Sequence, residues 1–75
     1  MESNKVLNAE GLACPMPVVK AKKEIDNLNT GDILEIHATD KGAASNIPAW
    51  TKSSGHELLQ QDNEGETLKF WIKKA

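Results

Sequence analysis

The sequence contains few or no residues of several types, and each shortage excludes some classes of protein. It has one cysteine and neither arginine nor tyrosine. A single cysteine cannot form a disulfide within its own chain, as small secreted domains usually do, so we expect a reducing environment. The N-terminus shows no signal-peptide pattern, and no apolar run approaches the length that spans a membrane. These absences predict a soluble cytoplasmic protein that does not insert into a membrane.

The charge and the length of the chain exclude further classes of protein. Nine lysines stand against eleven acidic residues, for a net charge of −2 with both signs spread along the chain. Because arginine is the usual residue for bidentate contacts to bases and phosphates, its absence argues against direct binding of nucleic acid. The 75 residues predict a single domain, 1–75. A chain of this length buries a limited fraction of its surface, so a deep active-site cavity is not expected.

Apolar patterns and turn signals predict four strands and two helices in the order β-α-β-α-β-β. The predicted strands are 5–9, 33–38, 56–61 and 66–72, with a turn over 62–65 between the last two. The first helix opens at 13–17, ends near 29–31, and places Val18, Ala21, Ile25 and Leu28 inward. The second helix, 43–53, contains Pro48, which indicates either a late start capped by Asn46 or a bend.

The order of these elements predicts where the loops lie. Strands joined by a helix normally run parallel with a right-handed crossover, so the first three strands should point the same way. The loop that holds Cys14, the loop 40–42 and the turn 63–65 would then meet at one edge of the sheet. In open α/β sheets ligands tend to bind at the carboxyl ends of parallel strands. We therefore expect one functional edge, centred on Cys14.

Cys14 stands where a helix is predicted to begin, between Ala13 and Pro15. Free amide groups and the helix dipole stabilise a thiolate at such a position, and the pKa of such thiols falls from about 8.5 to roughly 3.5–7.5. Pro15 and Pro17 would support the helix start by fixing the first turn. The alternative is that Cys14 is a small apolar residue that packs a strand–helix corner.

Other side chains suggest sites that the predicted topology disfavours or leaves open. A metal site or a catalytic pair built from Cys14, His37 and His56 would need groups that the topology separates, so we expect no metal and no cofactor. Trp50 is predicted in the core, while Trp71 or its neighbour Phe70 must point away from the helices. Lysines near the thiol form either a solvated helix face or a docking patch for an acidic partner: Lys20, Lys22 and Lys23.

The run Gly-Leu-Ala-Cys-Pro-Met-Pro at 11–17 resembles the hallmark of the TusA-like sulfur carriers, a family that includes SirA and YedF. Four further stretches resemble the family's central strand, loop, second helix and third strand in order: 31–36, 38–40, 47–50 and 55–58. The chain departs from the family's common pattern at Asn46 and at Lys41. Both positions lie beside the expected site, so the departures bear on the choice of partner.

The resemblance implies an α/β (α+β) two-layer sandwich, with two helices on one face of a four-stranded mixed sheet. It implies that Cys14 bears a persulfide, received from a cysteine desulfurase or a rhodanese-like donor and relayed to an acceptor protein. Asp40 and Lys41 join the lysines as candidate partner-binding residues. Such a chain is a sulfurtransferase-like carrier more than a self-contained enzyme. The alternative is a thiol-based redox or regulatory interaction module. Donor, acceptor, pathway and oligomeric state stay open.

Overall fold

A computed structural model describes residues 3–13 and 16–75 of the chain. Its elements follow the predicted order β-α-β-α-β-β, which is thereby confirmed. The strands are β1 (Lys5–Ala9), β2 (Ile33–Ala38), β3 (Glu57–Glu64) and β4 (Thr67–Lys73), and the helices are α1 (Met16–Asp26) and α2 (Ala43–Ser53).

The four strands form one mixed sheet in the spatial order β1-β2-β4-β3. β1 and β2 are parallel, and β4 is antiparallel to both of its neighbours, β2 and β3. β3 therefore runs in the same direction as β1 and β2, as predicted, although β4 lies between β2 and β3. The carboxyl ends of β1, β2 and β3 consequently share one edge of the sheet.

Both helices pack on one face of this sheet, which gives the predicted two-layer sandwich. In β2 the buried residues Leu34, Ile36 and Ala38 alternate with half-buried residues whose side chains point to the face without helices. α1 buries Pro17, Ala21 and Ile25, and α2 buries Ala43, Ile47 and Thr51. Burial at every fourth residue fits two amphipathic helices that cover the same apolar sheet face.

α2 begins at Ala43, so the late start capped by Asn46 is wrong. Gly42 occupies the N-cap position without a side-chain cap, and the Ala43 amide donates to the Asp40 carbonyl at 3.0 Å. Pro48 is the sixth residue of the helix and has no N–H to give to the carbonyl of the preceding turn. The helix continues through it, and the buried Thr51 hydroxyl donates to the Ile47 carbonyl at 2.7 Å.

The hairpin between β3 and β4 is tighter than the sequence predicted. β3 runs to Glu64, and the connection is only Gly65 and Glu66, because Glu64 already pairs with Thr67. Gly65 has a φ of +61°, which suits the first central position of a two-residue turn. The polar residues 62–64 resemble a loop in sequence, yet their main chain pairs with β4 while their side chains stay exposed.

Candidate functional site

The loop between β1 and α1 lies at the shared carboxyl edge of the sheet. Cys14 and Pro15 fall outside the described residues, which resume on either side at Ala13 and Met16. Ala13 is exposed, and Met16, the first residue of α1, is 43% exposed. The residues that the structure describes on either side of Cys14 therefore face solvent.

Both ends of this loop are held by hydrogen bonds and packing. After β1 the Leu12 amide donates to the Ala9 carbonyl at 3.3 Å, and Gly11 takes a φ of +79° that favours glycine. At the start of α1 the Met16 amide donates to the Ala13 carbonyl at 3.0 Å. Pro17, the second residue of α1, is buried against the core. A buried proline with a fixed φ gives the helix start little freedom.

Two threonines from neighbouring strands also hold the loop, and sequence reasoning missed both. Thr39, directly after β2, accepts a hydrogen bond from the Gly11 amide at 2.8 Å through its hydroxyl oxygen. Thr67, at the start of β4, donates to a carboxylate oxygen of Glu10 at 3.3 Å. Thr39 directly follows β2 and lies in the stretch 38–40 noted in the sequence, but neither feature indicates a contact with Gly11.

A groove of about 550 Å³ opens at the same edge, between the start of α2 and the β3–β4 turn. Its lining combines polar side chains with the apolar Ala44 and Leu68. Of the two loop residues predicted to bind partners, Lys41 is exposed and lines this groove, whereas Asp40 is half-buried beside it. The groove is lined by Thr39, Lys41, Ala44, Asn63, Gly65, Glu66 and Leu68.

α1 presents an apolar strip to solvent beside the reactive loop. Met16 and Val19 are 43% and 40% exposed, although both are large hydrophobic residues. Residues three and four apart share a helix face, so Lys20 and Lys23 flank these two side chains. Lys22 lies roughly 160° around the helix axis from Lys20. The three predicted lysines are all exposed, and Lys22, three residues after Val19, borders the apolar strip on its other side. We call Met16, Val19, Lys20 and Lys23 the outer face of α1.

The sheet face without helices carries a polar network around Trp71. Trp71 is only 8% exposed, and its indole N–H donates to a carboxylate oxygen of Glu35 at 3.0 Å. The same carboxylate accepts a hydrogen bond from the Ser3 hydroxyl and pairs with the His37 ring. Burial by itself raises the pKa of Glu35, but the hydrogen bonds from His37, Ser3 and Trp71 together leave this pKa below its usual value.

The structure keeps the two histidines apart. His37 lies on the helix-free face of β2, whereas His56 stands just before β3, at the edge opposite the reactive loop. The Nδ1 atom of His56 accepts a hydrogen bond from the Ala75 amide at 3.0 Å. Its ring lies 5.8 Å from that of Trp50, which is half-buried at the rim of the core. His56 therefore has a local packing role.

Within residues 3–13 and 16–75, no three histidine, cysteine or acidic side chains are grouped as a metal site would require. No helix in this part of the chain has the length and apolar character needed to cross a membrane.

Comparisons with known proteins agree on one family. The family described as sulfurtransferase TusA matches residues 5–74. YrkI of Bacillus subtilis (strain 168) is 61% identical over 75 residues, the full length of both chains. YrkF of the same organism is 53% identical over the whole of this chain, which spans only 40% of that relative. Sulfur carrier protein TusA of Allochromatium vinosum is 39% identical over 69 residues. This match covers 92% of the present chain and 91% of that protein.

A solved structure shares the fold. The crystal structure of a SirA-like protein from Desulfitobacterium hafniense superposes with a TM-score of 0.82 and covers 92% of this chain and 95% of its own. The sequence identity is 20%, so this likeness concerns the fold alone.

Proposed function

Since this chain belongs to the TusA family of sulfur carrier proteins, we propose that Cys14 accepts sulfane sulfur as a persulfide and relays it to an acceptor protein. The observation that supports this role most directly is the placement of the cysteine's loop. The loop follows β1 at the carboxyl edge, and the described residues next to Cys14 are exposed. A cysteine that must enter the active sites of other proteins needs such a position.

The transfer requires no chemical groups other than the thiols and persulfides of the proteins that take part. The Cys14 thiolate attacks the terminal sulfur of a donor persulfide, a new S–S bond forms at Cys14, and the donor's S–S bond breaks to release a donor thiolate. One thiolate is consumed and one is released, so no external oxidant or reductant takes part. The acceptor thiolate then attacks the terminal sulfur on Cys14 in the same way. The chain is thus the shared substrate of two partner proteins in a cytoplasmic relay.

The helix start assists this chemistry in two ways. Amide groups of the first turn and the helix dipole favour negative charge on a sulfur placed there. The buried Pro17 fixes the first turn from the core side, and Pro15, by its ring alone, would limit the main chain next to Cys14. Both effects favour a thiolate that is held in place and open to a partner.

The donor in this proposal is a cysteine desulfurase or a rhodanese-like transferase that docks on the outer face of α1. Met16 and Val19 supply an exposed apolar centre, and Lys20 and Lys23 supply a positive rim. Protein interfaces commonly combine an apolar core with a charged rim that speeds encounter. A partner with an apolar side chain ringed by carboxylates would complement this face. Lys41, on the groove at the same edge, extends the positive rim.

The test is the intact mass of the reduced protein after incubation with a cysteine desulfurase and free cysteine, and separately with a rhodanese and thiosulfate. We expect a gain of one sulfur atom that reductant removes and that Cys14→Ser lacks. If neither donor adds sulfur while peroxide or oxidised glutathione modifies Cys14, the redox or regulatory alternative replaces the carrier.

A further inference from the structure

Thr39 lies between the reactive loop and the groove. Its hydroxyl oxygen accepts the Gly11 amide at 2.8 Å, a distance typical of a well-formed hydrogen bond. Thr39 also lines the groove beside Lys41. Gly11 stands three residues before Cys14, so this contact is made close to the reactive position by a residue distant in sequence.

The contact adds to the hydrogen bonds that restrain the described part of the segment between β1 and α1. Six residues, 10–15, connect the end of β1 to the start of α1. Their far end is fixed by Pro17 in the core and by the hydrogen bond between Met16 and Ala13. On the near side the Thr39 hydroxyl is joined by Thr67, which donates to the Glu10 carboxylate at 3.3 Å. Glu10 is exposed and its side chain is flexible, so the bond to the Gly11 main chain is the stronger restraint.

We propose that Thr39 is a positioning residue for Cys14: its hydroxyl anchors the Gly11 main chain and so fixes the path of the loop that presents the thiol. The expected effect on sulfur transfer rests on the proposed function. The expected effect on the reactivity of the thiol rests only on the contact between Thr39 and Gly11. Sulfur exchange needs the attacking sulfur aligned with the bond that breaks, so a loop that samples more conformations reacts more slowly. A thiolate stabilised by the amides of the first turn also loses stabilisation when it moves away from them.

The test compares Thr39→Val, which keeps the branched shape and removes the hydroxyl, with Thr39→Ser, which keeps the hydroxyl. Alkylation of Cys14 by iodoacetamide is measured from pH 5 to 10, beside sulfur uptake from a cysteine desulfurase. We expect Thr39→Val to slow sulfur uptake about fivefold, the factor typical of one lost hydrogen bond. The midpoint of the alkylation profile should move to higher pH, and Thr39→Ser should restore both values to within about twofold. Thr67→Val should have a smaller effect, because its contact is to the flexible side chain of Glu10.

Hydrogen exchange of the Gly11 amide provides a measurement on the native chain. We expect slow exchange in the native protein and faster exchange in Thr39→Val. The proposal is overturned if the native Gly11 amide exchanges at the rate of an unstructured peptide. It is equally overturned if folded Thr39→Val matches the native alkylation profile. If the native protein takes up no sulfur, the carrier function fails, but the alkylation profile and the exchange rate still decide the role of Thr39.

Discussion

Charge reversal on α1 tests whether the sulfur donor docks on the outer face of this helix. Lys20 borders the exposed apolar strip of Met16 and Val19, whereas Lys52 is exposed in the last turn of α2, at the opposite edge of the sheet. Lys20→Glu and Lys52→Glu each change the net charge by −2, so they differ only in the position of the change. An exposed ion pair contributes about 0.2–1 kcal/mol, and reversal replaces that attraction with a comparable repulsion. We therefore expect Lys20→Glu to cost about 1 kcal/mol in the encounter, roughly a fivefold loss in rate.

The assay is the second-order rate of sulfur transfer from a cysteine desulfurase, followed by rapid quench and intact mass at several salt concentrations. Lys52→Glu should stay within about twofold of the native rate. At 1 M salt, where the screening length is about 3 Å, Lys20→Glu should approach the native rate. Equal losses in both lysine variants would mean that only overall charge matters, and the outer face of α1 would no longer be the docking site. No loss in either variant would exclude electrostatic docking through this helix.

Three further predictions concern the same face, the core and the helix-free face of the sheet. Met16→Ser should slow transfer at every salt concentration, because it removes apolar contact and leaves charge unchanged; a loss that disappears in high salt would contradict this. Phe70→Ala should lower the free energy of unfolding in urea by about 3–5 kcal/mol, because the ring is fully buried. Trp50→Ala should cost about half as much, since Trp50 is half-buried, and the reverse order would refute this account of the core. The native chain should lose stability as the pH falls below 4.5, the ordinary pKa of this glutamate, because the pKa of Glu35 is lowered by folding. Glu35→Gln should flatten that dependence, measured by urea unfolding at a series of pH values.

Most of the fold could be predicted because its signals are local. The apolar residues of α1 recur at helical spacing, and β1 and β2 each contain a run of apolar or β-branched residues. The common direction of the first three strands followed from the crossover rule. The hairpin was misjudged because residues 62–64 are polar and exposed, and main-chain pairing leaves no apolar signature there.

The candidate site could be predicted only in part, since its decisive contacts join residues distant in sequence. The motif around Cys14 identified the loop, but nothing in the sequence indicated that Thr39 contacts Gly11, 28 residues away. The lysine cluster was predicted as one patch because its members are close in sequence. Helix geometry distributes the three around the apolar strip: Lys20 and Lys23 stand four residues after Met16 and Val19, and Lys22 stands three residues after Val19 on the other side.

A small carrier faces two opposed requirements. Its reactive sulfur must be exposed enough to enter another protein, yet the loop that bears it must be ordered enough to react. A chain of 75 residues cannot enclose such a loop in a deep cavity. Here the restraint comes from the core and the sheet: Pro17 is buried, and Thr39 and Thr67, at the ends of two strands, make hydrogen bonds to the loop. Thr39 and Thr67 contact residues 11 and 10, and Pro17 is itself buried. The described neighbours of Cys14 stay exposed to solvent. We infer that sheet topology, which brings these strand ends to one edge, restrains residues 10, 11 and 17 while Ala13 and Met16 remain exposed on either side of Cys14.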